Sequence, residues 1–217
     1  MTKISIIMPV KNGKNYMQEA INAIKKQNVE LELIVVNDGS TDETEQIAQE
    51  NDFIVLNHEQ SKGQVIGKNT GLKVATGDYI MFCDHDDILS DNAILTMLDE
   101  FNQDNDLKVV NAKIKDFISP DATNKEQQIK PEAYYGCLAG SILFKKEVFD
   151  VIGLFDENVQ AGEIIALMSK LEENNLKINK IDFISSNRRI HDTNYGKTAK
   201  KAEFKDYAAL LRAKLRR

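Results

Sequence analysis

The stretch Tyr79–Ile88 reads YIMFCDHDDI. Its apolar run, Tyr79 to Cys83, stops at three carboxylates, Asp84, Asp86 and Asp87, with His85 between them. The run is rich in aromatic and apolar residues and too short for a typical helix, so it reads as a buried strand. The acids then fall at the strand's C-terminal end, where ligands bind in an open α/β sheet. Carboxylates crowded there repel unless they share a positive group, and a divalent metal with oxygen ligands is the simplest one. Read alone, the same acids also make a polar loop that caps the next helix.

The chain has 217 residues, enough for one sizeable domain. It is 42% hydrophobic and 29% charged, which excludes disorder as the expectation. No apolar run has the length of a membrane span. The opening residues, MTKISIIMPVKNG, lack the apolar length and cleavage site of a signal peptide. Cys83 and Cys137 have no metal-like spacing and read as small hydrophobes in a reducing cytoplasm. A net charge of -6 argues against a dedicated nucleic-acid binder.

The first half alternates strands and helices. Ile4–Met8 is β-branched and ends at Pro9, a strand buried on both faces. Asn15 with Gln18 resembles a capping box for a helix over 16–26. Leu31–Val36 is a strand that ends at the turn Asn37-Asp38-Gly39. Ser40 with Glu43 resembles a second capping box, for a helix through Glu50. A strand over 53–56 and a helix over 63–75 follow, then the strand at Tyr79 and a helix capped by Ser90 or Asp91. This β-α order predicts an α/β domain with a mainly parallel sheet and helices on both faces. Further on come a strand over 108–112, a polar loop over 116–132 and helices over 147–152 and 163–173. An extended segment over 178–184 then precedes a polar patch over 187–192. Residues 197–217 carry eight Lys/Arg and two acids, a local charge of +6, with apolar residues on one helical face. They are set apart from the domain over 1–196 as a basic amphipathic helix. Such a helix suits packing on the domain, oligomerisation or peripheral contact with an anionic membrane.

Four stretches, IIMPVKN (6–12), VVNDGSTDET (35–44), GQVIGKNTGLKVATGDYIMFCDHDD (63–87) and RIHDTN (189–194), together resemble the family 2 glycosyltransferases. The resemblance implies a Rossmann-like nucleotide-diphospho-sugar transferase fold, a DxD motif at Asp84-His85-Asp86, and inverting transfer from a UDP-sugar. It implies that Pro9, Val10 and Asn12 pack beside the base and that Asp38 reads its edge. Asp38 also fits a plain Asx turn. Lys68 reaches the nucleotide or is solvated. Asp84 lies near the ribose, and Asp86 with His191 binds Mn2+ or Mg2+. Arg189 contacts the diphosphate. Asp87 is a turn residue and His85 points away. Gly63, Gly67 and Gly71, spaced by four, let their helix approach a strand or the nucleotide closely.

Inversion needs one general base for the acceptor hydroxyl. The family has two adjacent acids at the relevant helix start. Here only Glu163 stands in Ala161-Gly162-Glu163-Ile164, so Glu163 is the expected base, or else it complements the helix dipole. The implied acceptor is a glycan, a lipid-linked glycan or a protein, and the implied place is the cytoplasm or the inner face of the membrane. Two other readings stand beside the enzyme: a non-catalytic nucleotide-sugar-binding subunit, and a sugar-1-phosphate nucleotidyltransferase. The latter wants a glycine-rich basic loop where Lys11-Asn12-Gly13-Lys14 has one glycine.

Overall fold

The computed structural model describes residues 2–123, 129–136, 138–159 and 162–194. The expected C-terminal helix over 197–217 lies outside them. The first half forms as expected: β1 (Lys3–Val10), α1 (Met17–Lys25), β2 (Glu30–Asp38), α2 (Thr44–Glu50), β3 (Ile54–His58), α3 (Gln64–Val74) and β4 (Tyr79–Phe82). β1 pairs in parallel with β2 on one side and β4 on the other, and β2 pairs in parallel with β3. Alternate β1 side chains enter two cores, as a strand's two-residue period demands. Ile4, Ile6 and Met8 pack on one face with Ile21 and Ile24 of α1. Ile7 joins Leu72 of α3, Ile80 and Phe82 on the other. α3 lies close because it has glycine where a Cβ would collide with β1. At Gly67 that atom would stand 2.9 Å from Pro9, and at Gly71 2.4 Å from Ile7. Gly67 and Gly71 therefore meet a strand, whereas Gly63, which precedes the helix with φ of 92°, does not.

The second half departs from the parallel pattern. It contains β5 (Ile88–Leu89), α4 (Ala93–Gln103), β6 (Val109–Ile118), β7 (Tyr134–Tyr135), β8 (Ile142–Lys145), α5 (Val148–Ile152), α6 (Glu163–Glu173) and β9 (Ile178–Ile190). The sheet order is β3-β2-β1-β4-β8-β6-β9-β5, with β7 beside β6. β8 runs antiparallel to both β4 and β6, whereas β9 returns parallel to β6. The sheet is thus mixed, with its all-parallel part confined to β1–β4. No helix intervenes between β6 and β8 among the described residues, so the chain reverses direction there. β9 also runs through the expected polar patch to Ile190, because half-buried pairing with β6 tolerates alternating polar residues. On the same principle β6 extends to Ile118, into the expected loop.

The expected caps are absent. Tyr16 and Glu43 occupy the N-cap positions of α1 and α2 without side-chain cap bonds. Ser40 instead accepts the Asn12 N–H at 2.9 Å, and Asp42 receives the Thr44 N–H at 3.1 Å. Asn92, with φ of 58°, rather than Ser90 or Asp91, precedes α4.

The N-terminal edge of the parallel strands is tied by one acid. Glu32 accepts from Lys3 Nζ at 2.8 Å, Ser5 Oγ at 2.5 Å and the Thr76 N–H at 2.7 Å. Burial raises its pKa, but these bonds outweigh burial and hold the carboxyl down at about 2 against an ordinary 4.5. A depressed folded-state pKa gives stability that is complete above about pH 4.5 and disappears as pH falls towards 2. We expect this group alone to account for about 3 kcal/mol over that window. Urea unfolding from pH 7 to pH 2.5 checks it: Glu32→Gln should be less stable at neutral pH and lose less on acidification than the wild type. Parallel curves would exclude the assignment.

Candidate active site

The parallel strands change direction of progression at β1: β2 and β3 are added on one side, β4 on the other. A crevice forms at such a switch point, beyond the carboxyl ends of the strands. The tips of β1, β2 and β4 place there the residues from 9 to 12, Asp38, and the acids from 84 to 87. Glu163, Arg189 and His191 come from the second half.

At the β4 tip, Asp86 Oδ2 lies 2.9 Å from His191 Nε2 and 3.4 Å from Asn194 Nδ2. Asn194 fixes the turn that delivers His191. Its Oδ1 accepts the His191 N–H at 2.6 Å, and its amide donates to the Arg189 carbonyl at 3.0 Å. The Tyr16 ring stands 4.7 Å from the imidazole. Burial raises the Asp86 pKa, yet the His191 bond and the nearby imidazoles bring it below the usual carboxylate value. Burial keeps Asp84 above its usual value despite the Lys68 charge. Asp87 goes further up, because burial is joined by the charges of Asp86 and Asp84. Asp87 also accepts the Arg189 N–H at 2.9 Å, so it ties β9 to the motif as well as shaping a turn. His85 does not turn fully away. A Cβ on Gly13 would meet its ring at 2.9 Å.

Lys68 is 2% exposed, which overturns the solvated alternative. Its ammonium is paired with Glu163, 7% exposed, at the first turn of α6. Its neighbour Asn69 binds the same segment. Asn69 Nδ2 donates to the Phe155 carbonyl at 3.0 Å, and its Oδ1 accepts the Phe155 N–H at 2.9 Å. Glu163 therefore does more than complement a helix dipole.

Asp38 is 4% exposed and has its acceptor positions occupied. Oδ1 receives His58 Nδ1 at 2.7 Å and the Lys62 N–H at 2.8 Å. Oδ2 receives Ser61 Oγ at 2.7 Å and the Gly63 N–H at 2.9 Å. Burial opposes ionisation, but these donors win and lower its pKa. This carboxylate anchors the turn before α3, so contact with a base would require one bond to open. Pro9 and Val10 are buried, against α3 and Gly13 respectively. Asn12 accepts the Thr41 N–H at 2.9 Å and joins the β1 loop to the β2 loop.

The guanidinium of Arg189, the expected diphosphate contact, is bonded within the protein. Its Nε donates to the Asp86 carbonyl at 3.0 Å, one terminal nitrogen donates to Ser119 Oγ at 3.3 Å, and the other pairs with Glu19. The guanidinium lies between the rings of Tyr16 and Phe117, at 4.9 and 4.8 Å. It is committed to holding β9, α1 and the acidic turn together. Glu19, Phe117 and His58 were not singled out in the sequence. Their partners lie from 20 to 170 positions away, so no local pattern marks them.

Among the described residues, no three His, Cys, Asp or Glu side chains converge to hold a metal unaided. Asp86 and His191 offer one carboxylate and one imidazole, a pair that fits Mn2+ when other oxygens complete its shell.

This mixed-sheet fold is that of the GT-A-type glycosyltransferases. TarS of S. aureus in complex with UDP-GlcNAc superimposes with a TM-score of 0.71 over 91% of this chain and 61% of that one, at 24% identity. Mannosyltransferase PcManGT of Pyrobaculum calidifontis, in complex with GDP-Man and Mn2+, gives 0.70 over 90% and 59%, at 17% identity. Residues 5–155 match the model for Glycosyl transferase family 2. An uncharacterized glycosyltransferase of Rickettsia typhi is 31% identical over 95% of this chain and 70% of its own length. The chain belongs to glycosyl transferase family 2. It is also 27% identical to the poly-beta-1,6-N-acetyl-D-glucosamine synthase of Staphylococcus epidermidis, over 74% of this chain but 44% of that protein.

The Asp38 geometry is testable. Asp38→Asn places an amide where two donors meet an oxygen, and should lower stability by about 2–3 kcal/mol. Urea unfolding measures it, and an unchanged midpoint would mean that the carboxylate is not the anchor of residues 61–63.

Proposed function

We propose that this domain transfers a sugar, with inversion, from a nucleoside-diphosphate donor, UDP by preference, to a hydroxyl of a glycan, lipid-linked or protein acceptor. The observation that carries the reading is the meeting of two pairs, Asp86–His191 and Lys68–Glu163, at the switch-point end of the sheet. The names of the relatives agree with it: one is a polysaccharide synthase, one fold neighbour holds UDP-GlcNAc, and another holds GDP-Man with Mn2+.

In this reading Pro9, Val10 and Asn12 wall the nucleoside side, and Asp38 shapes it through the turn at 61–63. Asp84 faces the ribose. Asp86 and His191 would hold a divalent metal. When bound, that metal supplies neutralising charge for the leaving diphosphate. Glu163 accepts the acceptor hydroxyl's proton as that oxygen bonds to the anomeric carbon. The anomeric C–O bond to the diphosphate breaks, and its electron pair leaves with the phosphate oxygen. Attack opposite the leaving group inverts the anomeric centre. The capture of Glu163 by Lys68 favours a second reading, a nucleotide-sugar-binding subunit without turnover.

Calorimetry with UDP, with and without Mn2+, and hydrolysis of UDP-sugars separate these readings. Nucleotide binding should be strengthened by Mn2+, and Asp86→Asn should remove the metal-dependent part. Glu163→Gln should cut hydrolysis by about a hundredfold or more while UDP still binds. No nucleotide binding would end the donor-site reading. Binding without hydrolysis of any UDP-sugar would leave the non-catalytic one.

A further inference from the structure

A dianionic leaving group needs cations, and the described part of this crevice is dominated by acids. Asp84, Asp86 and Asp87 stand together at the β4 tip, and the Glu163 charge acts on Asp84 from α6. Arg189 is held by Ser119, Glu19 and the Asp86 carbonyl between two rings. Breaking that set would remove part of what joins β9 to the acidic turn. Lys68 is different. Its side-chain partner is Glu163, and its charge also acts on Asp84 at the motif. Lysine is a compact point charge on a flexible stem, able to exchange one anion for another without moving its helix. α3 itself is fixed, because Gly67 and Gly71 lock it on β1 and Asn69 binds Phe155 through both amide atoms.

We propose that Lys68 is a shared cation, traded between Glu163 and the donor diphosphate. Before the donor binds, Lys68 holds Glu163 and supplies the counter-charge that a buried carboxylate requires. When the diphosphate arrives, the ammonium turns to it, and Glu163 is released towards the acceptor side. Glu163 then becomes competent to receive a proton only with donor in place. Lys68 is thus a positioning residue for the base as well as a donor contact. Asn69 keeps the acceptor-side segment against α3 during the exchange. This inference rests on the donor-site reading above and extends it to how donor binding frees the base.

Competition has a signature that a fixed structural pair lacks. If Glu163 and the diphosphate compete for one ammonium, removing the Glu163 charge must tighten nucleotide binding by the coupling factor. Calorimetry with UDP and Mn2+ on the wild type, Glu163→Gln and the double variant Glu163→Gln/Lys68→Met reads this directly. We expect Glu163→Gln to bind UDP about fivefold tighter or better, and the double variant to bind no tighter than the wild type. Neither variant leaves Glu163 as a buried, unpaired carboxylate, and thermal unfolding confirms that each is folded. Lys68→Arg, which keeps the charge but not its mobility, should retain the fold and respond less to Glu163→Gln.

Unchanged or weaker UDP binding by Glu163→Gln would overturn the proposal. So would tightening that persists in the double variant, since that is general charge repulsion acting without Lys68. Both failures differ from that of the donor-site reading, in which the wild type and Glu163→Gln alike bind no UDP.

Discussion

A carboxylate taken out of water must be matched by donors or counter-charge, at a cost of several kcal/mol if it is not. This chain removes several acids from solvent, and the matching of each one organises a part of the molecule. Glu32 draws in Lys3, Ser5 and Thr76 and so closes the N-terminal edge of the parallel strands. Asp38 gathers His58 and the turn at 61–63 and so sets where α3 begins. Asp116 takes Tyr134 Oη at 2.8 Å and ties the short β7 segment to β6. At the β4 tip, Asp86 and Asp87 recruit His191 and the Arg189 backbone, which bring the far end of the chain to the centre of the sheet. A net charge of -6 is in this sense architectural as well as a surface property.

The same constraint explains what could be read in advance. The apolar runs around Ile4–Met8, Leu31–Val36 and Tyr79–Cys83 are buried on both faces, and their period and flanking turns are local signals. The parallel half and its acidic tips were therefore legible. The chemistry of those acids was harder. An Asp at a strand tip looks the same in sequence whether it awaits a ligand, as Asp86 can, or is saturated from within, as Asp38 is. The difference lies in donors supplied by residues 58 to 63, and only the pairing of β2 with β3 places His58 against it. Arg189 shows the same limit. Its environment is made by Tyr16, Glu19, Phe117 and Ser119, which reach it through two separate elements. The mixed half was illegible for a related reason: β8 earns its antiparallel place from the Ile142, Leu143 and Phe144 register on two neighbours, while its own sequence carries no mark of direction.

The division between the two halves has a functional logic. The parallel half provides rigid strand tips at a switch point, a geometry that suits a nucleotide. The mixed half brings groups to that end from strands and helices of different direction, including His191 from β9's terminus and Glu163 from α6. α3 bridges them. It is seated on β1 by glycines, while its Lys68 and Asn69 reach Glu163 and Phe155. A single helix thus connects the parallel strands to Phe155 and to Glu163 of α6. Any force on the Lys68 ammonium acts at once on both.

That placement bears on how an acidic crevice can receive an anion at all. Each buried negative group near the motif raises the energy of a diphosphate unless its field is already cancelled. His191 offsets Asp86, and the Arg189 backbone N–H offsets part of Asp87. Burial further favours the neutral form of Asp84 and Asp87, which reduces the charge a donor would meet. A divalent metal held by Asp86 and His191 would supply positive charge there, and the Lys68 charge also acts at the motif. The site thus stays acidic but holds charges in pairs that a diphosphate and its metal could reorganise. On the proposal above, the ammonium that leaves Glu163 is the one that meets the diphosphate, so a single exchange joins donor binding to release of the carboxylate.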